Sequence, residues 1–257
     1  MNIHEQWIAL TTILHKEIKR FMRIWVQTLL PPVITIGLYL LIFGALIGTR
    51  IGAMEGFRYM EFVVPGLIMM SVISNSYANV VSSFFGAKFQ HSIEELLVSP
   101  TPNYIILLGF LLGGVVRGLI VGLIVTVIVL LFIRLPIHNV AIVIGIAILT
   151  AIVFAMAGFI NGIFARSFDD ISIIPTFILT PLTYLGGVFY SINLLPDFWQ
   201  SVSKLNPILY MVNAFRYGIL GVTDIDVAAA FIGVSLLILV LFGACLYLLE
   251  KGARLRA

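Results

Sequence analysis

Six stretches of this chain, residues 24–47, 62–85, 104–133, 140–165, 171–189 and 227–249, are apolar, nearly free of charge and of membrane-crossing length. A hydrocarbon core about 30 Å thick takes about 20 helical residues to cross. Lipid offers no partners to backbone N–H and C=O groups, so continuous apolar runs of this kind must be helices. The expectation is an all-α integral membrane protein with six transmembrane helices. Composition agrees, with 61% of the 257 residues hydrophobic and 11% charged, far from the make-up of a soluble domain. The net charge of +3 therefore reads as membrane topology and not as a nucleic-acid surface. Cys245 is the single cysteine, so the sequence holds neither a disulfide framework nor a thiol metal site.

An even number of spans puts both ends on one side. If that side is the cytoplasm, Lys16, Lys19, Arg20, Arg23, Lys88, Arg166, Lys251, Arg254 and Arg256 lie inside, against Arg50, Arg58, Arg134, Lys204 and Arg216 outside, which obeys the positive-inside rule. No cleavable leader is expected, because the first twenty-three residues carry Glu5, Lys16, Glu17, Lys19, Arg20 and Arg23 and no small-residue cleavage site follows. Within 1–23, Trp7, Leu10, Leu14, Ile18 and Phe21 recur at helical spacing while Thr12, Lys16, Lys19 and Arg23 fall opposite. That pattern predicts an amphipathic helix at the cytoplasmic membrane surface, acting either as a docking element or as a basic flank that orients the first span. The whole of 1–257 reads as one membrane domain, since its loops are too short to form others.

Residues 179–216 break the regular pattern. An apolar run, LTPLTYLGGVFYSINLLP, is followed by DFWQSVSKLNPILYMVNAFRYG, which is too polar and too interrupted by Pro196, Asn206 and Pro207 for an ordinary span. A seventh span here would move the basic C-terminal tail outside, so a re-entrant helical hairpin over 190–222, between spans five and six, fits better. Asp197 after Pro196 and Pro207 after Asn206 are expected starts of its two short helices. Gly186 and Gly187 ease the bend before them.

The inner loop 86–103, GAKFQHSIEELLVSPTPN, predicts a short helix over 87–98 that Pro100 and Pro102 stop. Phe89, Ile93, Leu96 and Leu97 form its apolar side and Gln90, Glu94 and Glu95 its polar side, which suits docking into a basic groove of a partner or a solvated surface helix. Inside the spans, Ser71, Asn75 and Asn79 recur every fourth residue, with Ser74 and Ser82 nearby, either to line a conduit or to join helices. Gly114, Gly118 and Gly122 form a ladder that allows close helix packing. Arg117 stands among them, and a lone charge at that depth faces a partner or a wet cavity, or lies near the inner headgroups and meets anionic lipid or substrate.

The block 179–216 resembles the signature of type-2 ABC exporter permeases: a span ending in Gly186-Gly187, the aromatic pair Phe189 and Tyr190, Pro196, then Asn206-Pro207 with Tyr210 and Arg216. The topology as a whole is similar to that of the small bacterial inner-membrane members of that family, which move drugs, lipo-oligosaccharides or polysaccharides. The resemblance implies that SIEELLVSP is a coupling helix, whose Ile93, Glu94, Glu95 and Leu97 meet an ATPase, with Asp169 and Asp170 of the 166–170 turn as a secondary contact. It makes the N-terminal helix an interface helix. It also makes 190–222 an outer gate, with Gly186, Gly187, Phe189, Tyr190, Pro207, Tyr210 and Arg216 in the gate and Ser71, Asn75 and Asn79 on the path. Two such subunits would pair as a homodimer and join two ABC ATPase (nucleotide-binding) subunits in the inner membrane, both termini cytoplasmic, with lipids around them.

No phosphate loop of the form G-x-x-x-x-G-K-S/T occurs in the sequence, so ATP and Mg would be bound by the partner and this chain would carry no cofactor or metal and no catalytic residue. Short outer loops and an apolar interior favour an amphipathic, lipid-like or drug-like substrate. Two other classes compete. An ion-coupled secondary transporter generally needs an acidic residue deep in a span, whereas Glu61 lies at an edge and Asp169 and Asp170 in a turn. An integral-membrane enzyme would need a cluster of reactive groups, whereas His4, His15, His91 and His138 are scattered.

Overall fold

A computed structural model describes residues 1–47 and 53–252. Arg50, Arg254 and Arg256, used above to assign topology, lie outside the described residues. The described residues are all-α apart from one two-residue-per-strand hairpin. In order, α1 is Ile3–Arg23, α2 Trp25–Tyr39, α3 Tyr59–Phe89, α4 Ser92–Val98, α5 Asn103–Phe132, α6 Val140–Phe164, α7 Asp170–Leu185, α8 Asp197–Lys204, α9 Pro207–Leu220 and α10 Val227–Glu250. Among the described residues, five helices are long and apolar enough to cross a membrane: α2 with its extension, α3, α5, α6 and α10.

Local chemistry explains most of these boundaries. Glu5 accepts from the Asn2 N–H at 2.9 Å and closes the first turn of α1. After α2, Leu40–Ile47 continues as a π-helix. The strands Ala53–Met54 and Phe57–Arg58 are joined by Glu55 and Gly56, both at positive φ, as a two-residue hairpin requires. Asn139 and Asp226 cap α6 and α10 by accepting from the N–H groups two and three residues on.

Two expected elements have different limits. The fifth run, expected over 171–189, folds as the sixteen-residue α7, interrupted by a π-helical turn at Pro175–Leu179. It stops at Leu185 because Gly186 caps it and Gly187 turns left-handed at φ +72°. The short loop helix, expected over 87–98, begins only at Ser92. Residues 87–89 belong to α3, and His91 at φ +58° makes the corner between the two helices. Phe89 therefore projects from the end of α3, 61% exposed, and is not part of the apolar side of α4.

The central element is α3, buried over nearly its whole length between α5, α6 and α9. Glycines of α5 set the spacing on two sides. Gly114, Gly118 and Gly122 meet Val80, Ser76 and Val72 of α3, while Gly109 and Gly113 meet Ile13 and Glu17 of α1. The ladder read as packing is packing, and a second ladder beside it seats α1. At the α1 end, Lys88 Nζ donates to the carbonyls of Ile163 and Ala165, tying the end of α3 to that of α6. At the hairpin end, the N–H groups of His138 and Asn139 donate to the carbonyls of Ile219 and Gly218.

Candidate functional site

Although α3 is the most buried helix, Met70, Ser74 and Ala78, one turn apart, stay open along one face. This strip is the floor of two clefts. One lies against α2, with a volume of about 330 Å³; the other, about 180 Å³, lies against α7, where Pro175, Leu179 and Thr183 form the wall. The larger cleft is graded along its length. Gln27, Thr28, Asn75 and Arg117 gather toward the α1 end, then Pro31, Pro32, Ile36 and Leu67 follow, and Tyr39 stands at the far end.

The α2 wall is irregular for a reason visible in the sequence. Pro31 and Pro32 have no N–H to return to the carbonyls of Gln27 and Thr28. On the α3 side, Ser71 Oγ donates to the Leu67 carbonyl at 3.1 Å and Asn75 Nδ2 to the Ser71 carbonyl at 3.0 Å. Their donors are thus used within the helix, and Asn75 Oδ1 remains to accept from Arg117 Nη2 at 3.2 Å.

Beyond Tyr39 the cleft meets an aromatic cluster. Phe189 packs against Tyr39, Phe43 and Tyr184 with ring centroids 5.4 to 5.9 Å apart, and the Tyr59 hydroxyl donates to the Phe189 carbonyl at 3.2 Å. Residue 189 is held here by the turn at Gly187. Gly186 has no room for a side chain, because a Cβ there would come within 2.7 Å of Ile208.

The α8–α9 segment is fastened beneath this turn by polar contacts. Asn206 caps α9 through the Ile208 N–H at 3.0 Å and donates Nδ2 to the Leu182 carbonyl at 2.6 Å. Arg216 is 1% exposed. It donates to the carbonyls of Gly187 (2.6 Å) and Phe62 (3.2 Å) and to Asn213 Oδ1 (3.3 Å), and its guanidinium lies 3.9 Å from the Phe62 ring centre. All of these contacts are internal, to backbone, amide and ring, because the Arg216 side chain points into the protein.

At the α1 end a second polar cluster joins α1 to α3. Glu17 is fully buried, accepts from Ser83 Oγ at 2.7 Å and pairs with Arg20 at 3.4 Å. Arg20 continues to Asn79 and Ser82. Nearby, α4 buries Ile93 and exposes Glu94 and Glu95, with Leu97 half-buried. His91 Nδ1 lies 3.0 Å from Glu94 Oε1. In the 166–170 turn the Asp170 carboxylate accepts from the Arg166 and Ser167 N–H groups at 2.8 and 3.2 Å. The Arg166 backbone bond, followed by the Ser167 hydroxyl, holds the Asp170 carboxyl below its ordinary value. Asp169 beside it is exposed.

The residues singled out in the sequence therefore fall into three places. Ser71 and Asn75 line the cleft, whereas Asn79 is fully buried beneath α1 and engaged by Arg20. Gly186, Gly187 and Phe189 lie at its far end, beyond Tyr39, with Tyr190 and Tyr210 half-buried and Pro207 exposed on the neighbouring segment. Ile93, Glu94, Glu95, Leu97, Asp169 and Asp170 share the opposite end of the molecule. Sequence reasoning missed Tyr39 and Phe43, whose only signal was two aromatics four apart in an apolar run. It also missed Glu17, whose signal was one acid at a position of helical spacing with Ile13 and Phe21.

The ABC-2 type transporter family model matches residues 8–220. The chain is 58% identical over 255 residues to the inner membrane transport permease YadH of Escherichia coli (strain K12), covering 99% of this chain and 100% of that protein. The same figures hold for the YadH permease of Shigella flexneri. Nodulation protein J of Rhizobium meliloti (strain 1021) is 22% identical over 185 residues, covering 72% of this chain and 71% of that protein.

Proposed function

The chain belongs to the ABC-2 type transporter family and is a membrane permease subunit of an ABC transporter, and from that premise we propose how it works. It is an inner-membrane protein that carries an amphipathic substrate along the open face of α3, energised by ATP and Mg bound on a separate ATPase. The observation that carries this reading is the strip Met70, Ser74, Ala78, which leaves the most buried helix open on one side.

In this reading α7 is the fifth span in chain order and, with the five long helices, brings the total to six. Its sixteen residues reach about 24 Å, and the turn at Gly186 and the α8–α9 segment complete the crossing as a re-entrant outer gate. The α1 end faces the cytoplasm, where Lys16, Lys19, Lys88, Arg166 and Lys251 gather. There α1 serves as the interface helix and α4 as the coupling helix, with Glu94 and Glu95 toward the ATPase. The outward faces of α2 and α7 expose Ile34, Leu38, Phe177 and Ile178, which supports pairing with a second copy so that the two open strips enclose one path.

Cysteine substitution tests the path. With Cys245, which is buried, replaced by serine, Ser74→Cys and Ala78→Cys are expected to react with a water-soluble maleimide in inner-membrane vesicles. The rate should change when the co-expressed ATPase binds ATP. Inert cysteines at both positions, in either nucleotide state, would remove this face from the path.

A further inference from the structure

We propose that the α2–α3 cleft is a binding site for an anionic amphiphile of the inner leaflet, its phosphate or carboxylate headgroup at Arg117 and its chain along Pro31, Ile36 and Leu67. The inference rests on the reading of this face as the path and names the class of molecule that enters it.

Charge is the first argument. Arg117 lines the cleft, and its one hydrogen bond among the described residues is to a neutral group, Asn75 Oδ1, at 3.2 Å. Its Nε is buried without a partner. The nearby carboxylate, Glu17, is occupied by Arg20 and Ser83. A cation placed in a membrane wall under those conditions is stabilised by an incoming anion. The guanidinium fork suits a phosphate or carboxylate, which accept two parallel bonds.

Depth and polarity give the orientation. Arg117 lies fifteen residues before Phe132, about 22 Å along α5, in a hydrocarbon core about 30 Å thick. With Phe132 at the outer edge of that core, Arg117 falls in the inner leaflet, one helical turn beyond Gly113, against which Glu17 of α1 packs. Around it Gln27, Thr28 and Asn75 supply the polar groups, and the proline-freed carbonyls of Gln27 and Thr28 can accept from headgroup hydroxyls. From there outward the cleft turns apolar. An inner-leaflet lipid has the same polarity profile, head toward the cytoplasm and chain toward the bilayer centre. The volume of about 330 Å³ is within the range of ligand sites. Exposed Ser74 and Thr35 leave it open sideways to the bilayer.

The test uses the purified full-length chain in phosphatidylcholine nanodiscs doped with a phosphatidylglycerol that carries a photoreactive group on its acyl chain. Label is expected on residues 27–39 and 67–78, displaced by unlabelled phosphatidylglycerol and not by phosphatidylcholine. Arg117→Gln should cut that labelling by about tenfold or more, with Arg117→Lys between. Ser74→Phe fills the cleft from its exposed side with Arg117 in place and should lower labelling as well, which covers the case in which Arg117→Gln fails to fold. Equal labelling by a photoreactive phosphatidylcholine, or unchanged labelling in both Arg117→Gln and Ser74→Phe, would overturn the proposal. Displacement by inorganic phosphate as readily as by phosphatidylglycerol would also overturn it, in favour of a free-anion site. Labelling is read without ATP or the ATPase, so its failure leaves the permease reading intact, while inert cysteines at 74 and 78 would remove the path and leave a lipid site standing.

Discussion

Arg20 of α1 grips Asn79 of α3 twice, its guanidinium donating to the side-chain oxygen at 2.8 Å and to the main-chain carbonyl at 3.0 Å. With Glu17 buried beside it, this contact makes α1 part of the packed bundle and not a ribbon lying loosely on the membrane. A movement applied to α1 is thus delivered to the helix that floors both clefts.

Arg20→Ala removes the cation and leaves the Glu17 carboxylate with only Ser83. Breaking a buried pair costs about 3–5 kcal/mol. The Arg20 side chain is 30% exposed, so a loss of about 2 kcal/mol is expected after allowing for solvent screening. The double change Glu17→Gln with Arg20→Gln should cost less than Arg20→Ala alone, since no charge is stranded. Unfolding midpoints of the detergent-purified variants check the order.

Arg216 holds the carbonyls of Gly187, Val188 and Phe62 and the Asn213 Oδ1, four acceptors that a shorter or narrower side chain cannot reach together. Arg216→Lys keeps the charge but has no planar fork, and the carbonyls of Gly187 and Phe62 cannot both be satisfied. A destabilisation of about 2–3 kcal/mol is expected, concentrated in the segment that Gly187 turns. Limited proteolysis should cut within 190–206 faster than in the parent protein, and equal protection would show that Arg216 is not the fastener.

The apolar runs made the long helices legible, because lipid allows few alternatives to a helix there. Asn206-Pro207 and Pro196-Asp197 likewise announced α8 and α9 through capping chemistry that acts within four residues. The end of α7 was likewise written locally, in the bend read at Gly186-Gly187, although the apolar run continues through Phe189. What stayed hidden depends on contacts distant in the chain. Nothing near Asn79 marks it as the partner of Arg20, fifty-nine residues earlier, and the same four-residue period that put Ser71, Asn75 and Asn79 on one face spans two different neighbours. The open strip is one position away, at Met70, Ser74 and Ala78; Ser71 and Asn75 reach the cleft beside it, while α1 covers Asn79.

Asp170 gives a pH dependence with a definite sign. Its carboxyl is held below the ordinary value of 3.8 by the Arg166 N–H first and then by Ser167. A depressed value means that the turn is supported at neutral pH and that the support is lost as pH falls below the ordinary value and through the folded one. Hydrogen exchange at the Arg166 and Ser167 amides, corrected for intrinsic rates, should lose protection in that acid range. In Asp170→Ala the protection should be low at every pH.

On α4, exposed Glu94 and Glu95 stand beside Ile93, which is fully buried, so docking and folding separate by residue. Alanine at both glutamates favours the helix and removes only an exposed contact between Glu94 and His91, worth less than about 1 kcal/mol. The double variant should therefore fold normally, whereas Ile93→Ala, which opens a cavity, should cost about 2–4 kcal/mol. If α4 passes the movement of the ATPase into the membrane, the complex carrying Glu94→Ala and Glu95→Ala will hydrolyse ATP with little transport. The ratio of substrate moved to ATP hydrolysed, measured in proteoliposomes beside the Ile93→Ala complex, decides the matter. An unchanged ratio in the double variant would place the coupling contact elsewhere, with the Asp169–Asp170 turn on the same end of the molecule as the next segment to mutate.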